Sequence, residues 1–401
     1  MTPAVAPARS KRRPRWSMVA TAILLAAAAV LVATEFAFRL LWQPPPALAR
    51  LALAGPFAGT SDGGVTLLPG PRGVLPACPG VPATRFAVDA LGMRGPGIAG
   101  KQPGERRVLV VGDSLVFGRG VGDGETLPAR TESALRARSP DRTVGNGGVP
   151  TFGVSHAVAR LASLDAPFGA DAFVVCTNLD DDVMDEVKPL RRVYAGQLLQ
   201  GDVVRLVATS WRTRLALRSR LALWVESCLA PAWPSSLPGS LPLDADEAAR
   251  AAGMPKFAQA EHGLFLDVID ETTSWAEGTE PVMPRVLAAQ RAALQRAKEI
   301  VAQRPAWFVV LPTVWQVDEG RRRAGLAAIG VPFEKYERGL AQRRLTQVAR
   351  DLGLRALDAT PMLAAEPDHD GLFLADGVHL SARGNDVLGK WLAMELASAL
   401  K

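Results

Sequence analysis

Cysteine is scarce: three in 401 residues, Cys78, Cys176 and Cys228. That is too few for a disulfide framework. Cys176 falls within a buried-strand pattern and reads as a core residue, whereas Cys78 and Cys228 could pair in an oxidising compartment. Histidine is nearly as rare, with His156, His262, His369 and His379 the full set, so any imidazole chemistry has four candidates. Internal repeats are absent. Acidic residues are missing from the first fifteen positions, which hold Arg9, Lys11, Arg12, Arg13 and Arg15. These five account for nearly all of the net charge of +6, because the other lysines and arginines balance the 40 acids to within one charge. With the excess confined to one end, the basic balance does not point to nucleic acid.

Charge is also missing from the first eighteen residues of "SMVATAILLAAAAVLVATEFAF", Ser17 to Phe38. At ~1.5 Å per residue the segment spans roughly 30 Å, one membrane crossing. The cations before it, against Arg39 and Arg50 after it, place residues 1–16 in the cytoplasm and the rest of the chain outside. Trp16 and Trp42 bracket the segment as interface anchors, and Glu35 and Arg39, one turn apart, can pair. A signal peptide cleaved near Ala47–Ala49 is the rival reading, but that small-residue site lies far past the apolar run. The expectation is a retained anchor.

Residues 43–102 are rich in proline and glycine and read as a linker and irregular lead-in. A domain over 103–401 follows, in which short apolar runs alternate with amphipathic stretches. "RVLVVG" and "DAFVVCTN" read as buried strands. "TLPARTESALRARS" reads as a helix capped by Thr126 with Pro128 in its first turn, and "VSHAVARLASL" as another. The C-terminal part continues with helix "VLAAQRAALQRAKEIVAQ", strand "AWFVVLP", helix "FEKYERGLAQRRLTQVARDLG", strand "LRALDA" and helix "ARGNDVLGKWLAMELASAL". Buried strands separated by helices imply a parallel sheet in a three-layer α/β/α sandwich. An insert at about 185–284 interrupts the alternation. It carries Trp211, Trp224, Trp233 and Trp275, and is either a peripheral elaboration or a cap over a substrate groove.

In such a sheet ligands bind beyond the carboxyl ends of the strands. Gly112-Asp113-Ser114 stands there. All three are turn residues, but a serine at that turn is also exposed beside backbone N–H groups that can stabilise a negative oxygen. A serine nucleophile needs a base. His379, in "LFLADGVHLSARGND", has Asp376 three residues earlier, close enough to orient one ring nitrogen while the other faces the serine. Two further loops offer oxyanion donors: "VGNGGVPTFG" through the Gly148 N–H, with Gly147 the alternative register, and "VVCTNLDDD" through the Asn178 side-chain amide. His156 reads as structural or superficial, and His262 has no evident partner. The acids Asp180, Asp181, Asp182 and Asp185, and the pair Asp368 and Asp370 around His369, supply oxygen ligands but no coordination loop, and read as solvated.

Ser, Gly, Asn and Asp-x-x-His in this order, each at a strand-to-helix junction, resemble the GDSL or SGNH hydrolase superfamily, whose name motif is Gly112-Asp113-Ser114-Leu115. The lead-in "VDALGMRG" also resembles that of membrane-linked bacterial members. The resemblance covers about residues 85–401. It implies a flavodoxin-like fold, a triad of Ser114, His379 and Asp376, an oxyanion hole from the Ser114 N–H, Gly148 and Asn178, and neither metal nor organic cofactor. The third block departs from the family's Gly-x-Asn-Asp, reading Cys176-Thr177-Asn178-Leu179. The implied activity is acyl-ester hydrolysis in the cell envelope, on an acylated glycan, peptidoglycan or lipid. The alternatives are acyl transfer to a sugar hydroxyl by the same triad, and a silent glycan- or protein-binding module.

Overall fold

The computed structural model describes residues 16–42, 57–59, 65–75, 77, 80–179, 191–194, 197–200, 211–229, 282–328, 332–335 and 337–400. Cys78, the small-residue site at 47–49, Asp180 to Asp185, Trp233, His262 and Trp275 lie outside them, so the expectations placed there, including a Cys78–Cys228 pairing, are not addressed. Cys176 is buried and Cys228 exposed.

The apolar N-terminal run forms helix α1 (Trp16–Leu41), and its stretch Met18–Leu41 is long and apolar enough to cross a membrane. The lead-in is more ordered than its composition suggests. It forms two antiparallel pairs, β1 (Phe57–Gly59) with β2 (Val65–Leu67) and β3 (Gly70–Leu75) with β4 (Thr84–Val88). β1 and β2, at three residues each, are too short to show an alternating pattern, whereas β4 alternates buried and more exposed residues.

Next come β5 (Arg106–Val111), the single turn α2 (Ser114–Phe117), α3 (Leu127–Arg136), β6 (Arg142–Asn146), α4 (Val154–Phe168) and β7 (Ala172–Asn178). Within the insert lie β8 (Arg191–Tyr194), β9 (Gln197–Gln200), α5 (Trp211–Arg218) and α6 (Arg220–Leu229). The chain closes with α7 (Val282–Val301), β10 (Ala306–Leu311), α8 (Val314–Val317), α9 (Glu319–Ala328), α10 (Leu340–Asp351), β11 (Arg355–Asp358), α11 (Thr360–Ala364) and α12 (Ala382–Ala397). The predicted helix over "FEKYERGLAQRRLTQVARDLG" is shorter than expected. Gly339 before it takes φ 73°, which ends the regular backbone there, and the helix starts at Leu340.

One five-stranded sheet, ordered β11-β10-β7-β5-β6 and parallel throughout, organises the domain. Alternate residues of its strands face opposite layers. Leu109, Val111, Phe173, Val175, Phe308 and Val310 pack with α4, α7 and α10. Val108, Val110, Val174, Cys176, Val309 and Leu311 pack with α2, α3 and α12. This is a three-layer α/β/α sandwich. In chain order its strands run 2-1-3-4-5, so the chain reverses direction across the sheet between β5 and β7, where a doubly wound fold opens its crevice.

Candidate active site

Ser114 begins α2 directly beyond the end of β5, at that reversal point. Its two predecessors explain the local turn. A Cβ on Gly112 would stand 2.6 Å from Val116 Cγ2 and 3.1 Å from the Cys176 carbonyl of the neighbouring strand, so only glycine lets β5 turn this close to β7. Asp113 caps α2: its carboxylate accepts the Leu115 N–H at 3.0 Å. The carboxylate is wholly buried, accepts the Asn178 side-chain amide and lies 3.2 Å from Ser114 Oγ. Arg94 braces the other end of α2. Its guanidinium donates to the carbonyls of Phe117, Gly118 and Val121 at 2.8, 2.6 and 2.7 Å, and pairs with Asp123 at 2.8 Å.

The opposite wall is the loop before α12. Ser381 caps that helix through the Gly384 N–H and donates to the Gly371 carbonyl at 2.6 Å. The His379 carbonyl accepts the Leu374 N–H at 2.7 Å, which fixes the backbone carrying the imidazole. His379 Nε2 then lies 2.9 Å from Ser114 Oγ, and Nδ1 lies 2.6 Å from Asp376 Oδ2. The other Asp376 oxygen accepts the N–H groups of Val378 and His379, each at 3.1 Å. The fold thus brings together Ser114, His379 and Asp376 from positions 265 residues apart in the chain.

Burial pushes the Asp376 carboxyl up, but the His379 hydrogen bond, the attraction of that ring and the two backbone N–H groups outweigh it and hold the group below its ordinary 3.8. A carboxyl depressed by folding stabilises the protein above its ordinary value and loses that contribution as pH falls through the folded one. Acid unfolding of the wild type below roughly pH 4 is therefore expected to be steeper than that of Asp376→Asn, as followed by circular dichroism. Equal slopes would show that this carboxyl does not couple to folding.

The expected oxyanion donors are placed differently from the sequence reading. The Gly148 N–H donates to Asn146 Oδ1 at 3.1 Å, and the alternative, the Gly147 N–H, donates to the Val110 carbonyl at 2.8 Å. Neither is held open. The Asn178 amide donates to the Asp113 carboxylate. The Ser114 N–H, in the first position of α2, meets no acceptor among the described residues. Asn146 also donates to the Phe117 carbonyl at 3.3 Å, which ties the Gly148 loop to α2.

Gly148 is also required sterically. A Cβ there would stand 2.3 Å from Phe117 N and 2.9 Å from Phe117 Cα, both backbone atoms of α2. Phe117 N–H donates to the Asp113 carbonyl at 2.9 Å, so an added methyl would press on backbone already committed to the turn that carries Ser114. Gly148→Ala should cost about 1–3 kcal/mol and displace Ser114. A thermal melt and an ester-turnover assay check this, and wild-type values in both would show that the loop yields instead.

Asp113 and Asn146 are the residues that sequence reading did not place. The first was visible as a polar residue ahead of a short helix. The second lies two residues before Gly148 with no pattern to mark it. Of the remaining candidates, His156 stacks near Phe152 with ring centroids 5.5 Å apart, and His369 contacts Asp318 at 3.1 Å and the Ala364 carbonyl at 3.2 Å. Asp368 and Asp370 pair with Arg383 and Arg321. Among the described residues no group of histidine, cysteine and carboxylate side chains is arranged to hold a metal ion.

No protein-family model matches the chain, and no curated protein sequence does. Solved structures similar to it include the lipase/acylhydrolase from Enterococcus faecalis, 13% identical, with 74% of this chain and 97% of that one covered at a TM-score of 0.39. A catalytic mutant of Axe2, an acetylxylan esterase from Geobacillus stearothermophilus, is 13% identical over 73% of this chain and 94% of its own, at 0.37. The lipase Lip_vut3 from a goat rumen metagenome is 12% identical over 74% and 100%, at 0.37.

Proposed function

We propose that the chain is a membrane-tethered serine esterase of the GDSL/SGNH type, acting outside the cytoplasm on acyl esters of an envelope glycan or lipid. The observation that carries this reading is the relay from Ser114 Oγ through the His379 ring to Asp376, at 2.9 and 2.6 Å. In the neutral ring, Nδ1 donates to Asp376, which leaves the Nε2 lone pair for the serine proton. Ser114 Oγ attacks the ester carbonyl as Nε2 takes that proton, and the negative charge develops on the former carbonyl oxygen. The imidazolium then gives the proton to the departing alcohol, leaving the acyl group on Ser114. Water, deprotonated by the same nitrogen, attacks the acyl-enzyme, and the carboxylic acid leaves with Ser114 restored.

The Ser114 N–H, which meets no acceptor among the described residues, is the preorganised donor to the oxyanion. Gly148 and Asn178 join it by exchanging Asn146 and Asp113 for the oxyanion as its charge develops.

The test is the fate of the acyl group when the full chain, in detergent, is given p-nitrophenyl acetate and an acetylated polysaccharide. Release of free acetate from both is expected. Acetate appearing on an added sugar hydroxyl in place of water would make the chain a transferase, and no turnover of any ester would overturn the reading. Orientation has its own test. A reporter fused after Lys401 should be active only outside the cytoplasm, since the five cations lie before α1. Activity inside would reverse the topology.

A further inference from the structure

Insert helix α6 packs against the outer end of α1. Glu35, in the last two turns of α1, accepts the Ser219 hydroxyl at 2.7 Å and the N–H groups of Arg220 and Leu221 at 3.0 Å each. Those are the donors that the first turn of α6 leaves open, so a carboxylate from a segment 184 residues away caps this helix. Arg39 pairs with Glu35 at 2.7 Å and donates to the Arg218 carbonyl at 3.0 Å. Phe38 packs on Trp224 with ring centroids 5.2 Å apart. The α5–α6 pair is thereby fixed to the end of α1 that leads into the rest of the chain.

Its composition suits that place. Residues 211–229 hold Arg212, Arg214, Arg218 and Arg220 against a single acid, Glu226. Trp211 and Leu215, one turn apart on α5, are exposed, and so is Trp224 on α6. Ala216 and Leu223 are buried. Between α1 and α6 lies a cleft of about 560 Å³. Leu31, Val32, Phe36 and Leu221 line its apolar part, and Glu35, Arg39 and Ser219 its polar part.

The charge-free run Ser17–Thr34 has 18 residues, about 27 Å at ~1.5 Å per residue, which nearly fills a hydrocarbon core of about 30 Å. Glu35 and Arg39 therefore stand at its outer edge, level with the headgroups. Arginines beside exposed tryptophan and leucine match that layer, phosphate above and acyl chain below.

We propose that α5 and α6 form a clasp lying on the outer-leaflet phospholipid surface beside α1, held there by Glu35 and contacting lipid through Trp211, Leu215 and Arg214. The inference rests on the reading that α1 spans the membrane with the domain outside.

The test uses the full chain in nanodiscs of phosphatidylethanolamine and phosphatidylglycerol, with Cys78 and Cys228 replaced by serine. Spin labels are placed singly through Ala27→Cys in the span, Leu215→Cys in the clasp and Met394→Cys on α12. Accessibility to oxygen is then compared with accessibility to a water-soluble nickel complex. The label at 215 should show an oxygen-to-nickel ratio several-fold above that at 394, approaching the ratio at 27. Adding Glu35→Ala should return it to the ratio at 394 while circular dichroism stays unchanged. Equal ratios at 215 and 394, with lipid reported at 27, would overturn the clasp and leave the anchor standing. Water at 27 would remove the anchor and the clasp with it. An unaltered ratio in a folded Glu35→Ala variant would show that Glu35 does not hold the pair in place.

Discussion

Ser114→Ala is expected to lower ester turnover by on the order of 10⁶, down to what binding and the oxyanion donors supply by themselves. The fold should survive. The hydroxyl bonds to His379 and lies beside Asp113, both within the site, while the cap that starts α2 belongs to Asp113 and remains. Alanine also favours a first helical turn more than serine does. His379→Ala should lose about as much, and the double variant no more than either single one, because nucleophile and base act as one unit. Turnover measured on purified protein with a matching thermal melt checks this. Wild-type turnover in Ser114→Ala would remove the serine from the chemistry.

Asp376→Asn is expected to lower kcat by roughly 10⁴ with little change in KM, on the precedent of the same exchange in a serine protease triad. The geometry shows why. One Asp376 oxygen accepts two backbone N–H groups and the other faces His379 Nδ1. Asparagine must keep its single oxygen toward the two N–H donors, which turns its NH₂ toward the ring. Nδ1 then accepts, the ring proton moves to Nε2, and the nitrogen facing Ser114 no longer has a lone pair to take its proton. Near-wild-type kcat would mean that Asp376 does not set the tautomer.

The sheet and the relay were largely legible in the sequence. The runs at 107–112 and 171–178 are apolar on both faces because both faces are covered, and that continuous pattern marks a buried parallel strand. Thr126 and Pro128 marked the start of α3 at its observed position. Ser114 was legible because it follows the apolar run of β5, and His379 because Asp376 stands three residues before it, just ahead of the last helix. The donors were less legible. Whether the Gly148 N–H is open depends on the Asn146 side chain, and the direction of the Asn178 amide depends on Asp113, so both are settled by contacts across strands rather than by spacing. The grip of Glu35 on α6 was invisible for the same reason. Its neighbour Arg39 gave it an ordinary partner one turn away, and nothing in the sequence points to Ser219.

The most direct test of the account is the intact mass of the full chain in detergent after exposure to a fluorophosphonate, followed by peptide mapping. The phosphonyl group bonds to an activated serine oxygen and fluoride leaves, so the adduct reports nucleophile and base together. One adduct per chain on Ser114, absent from both Ser114→Ala and His379→Ala, is the predicted result. A well-folded protein that takes no adduct, or takes it on another residue, would contradict the assignment of Ser114 as an activated nucleophile.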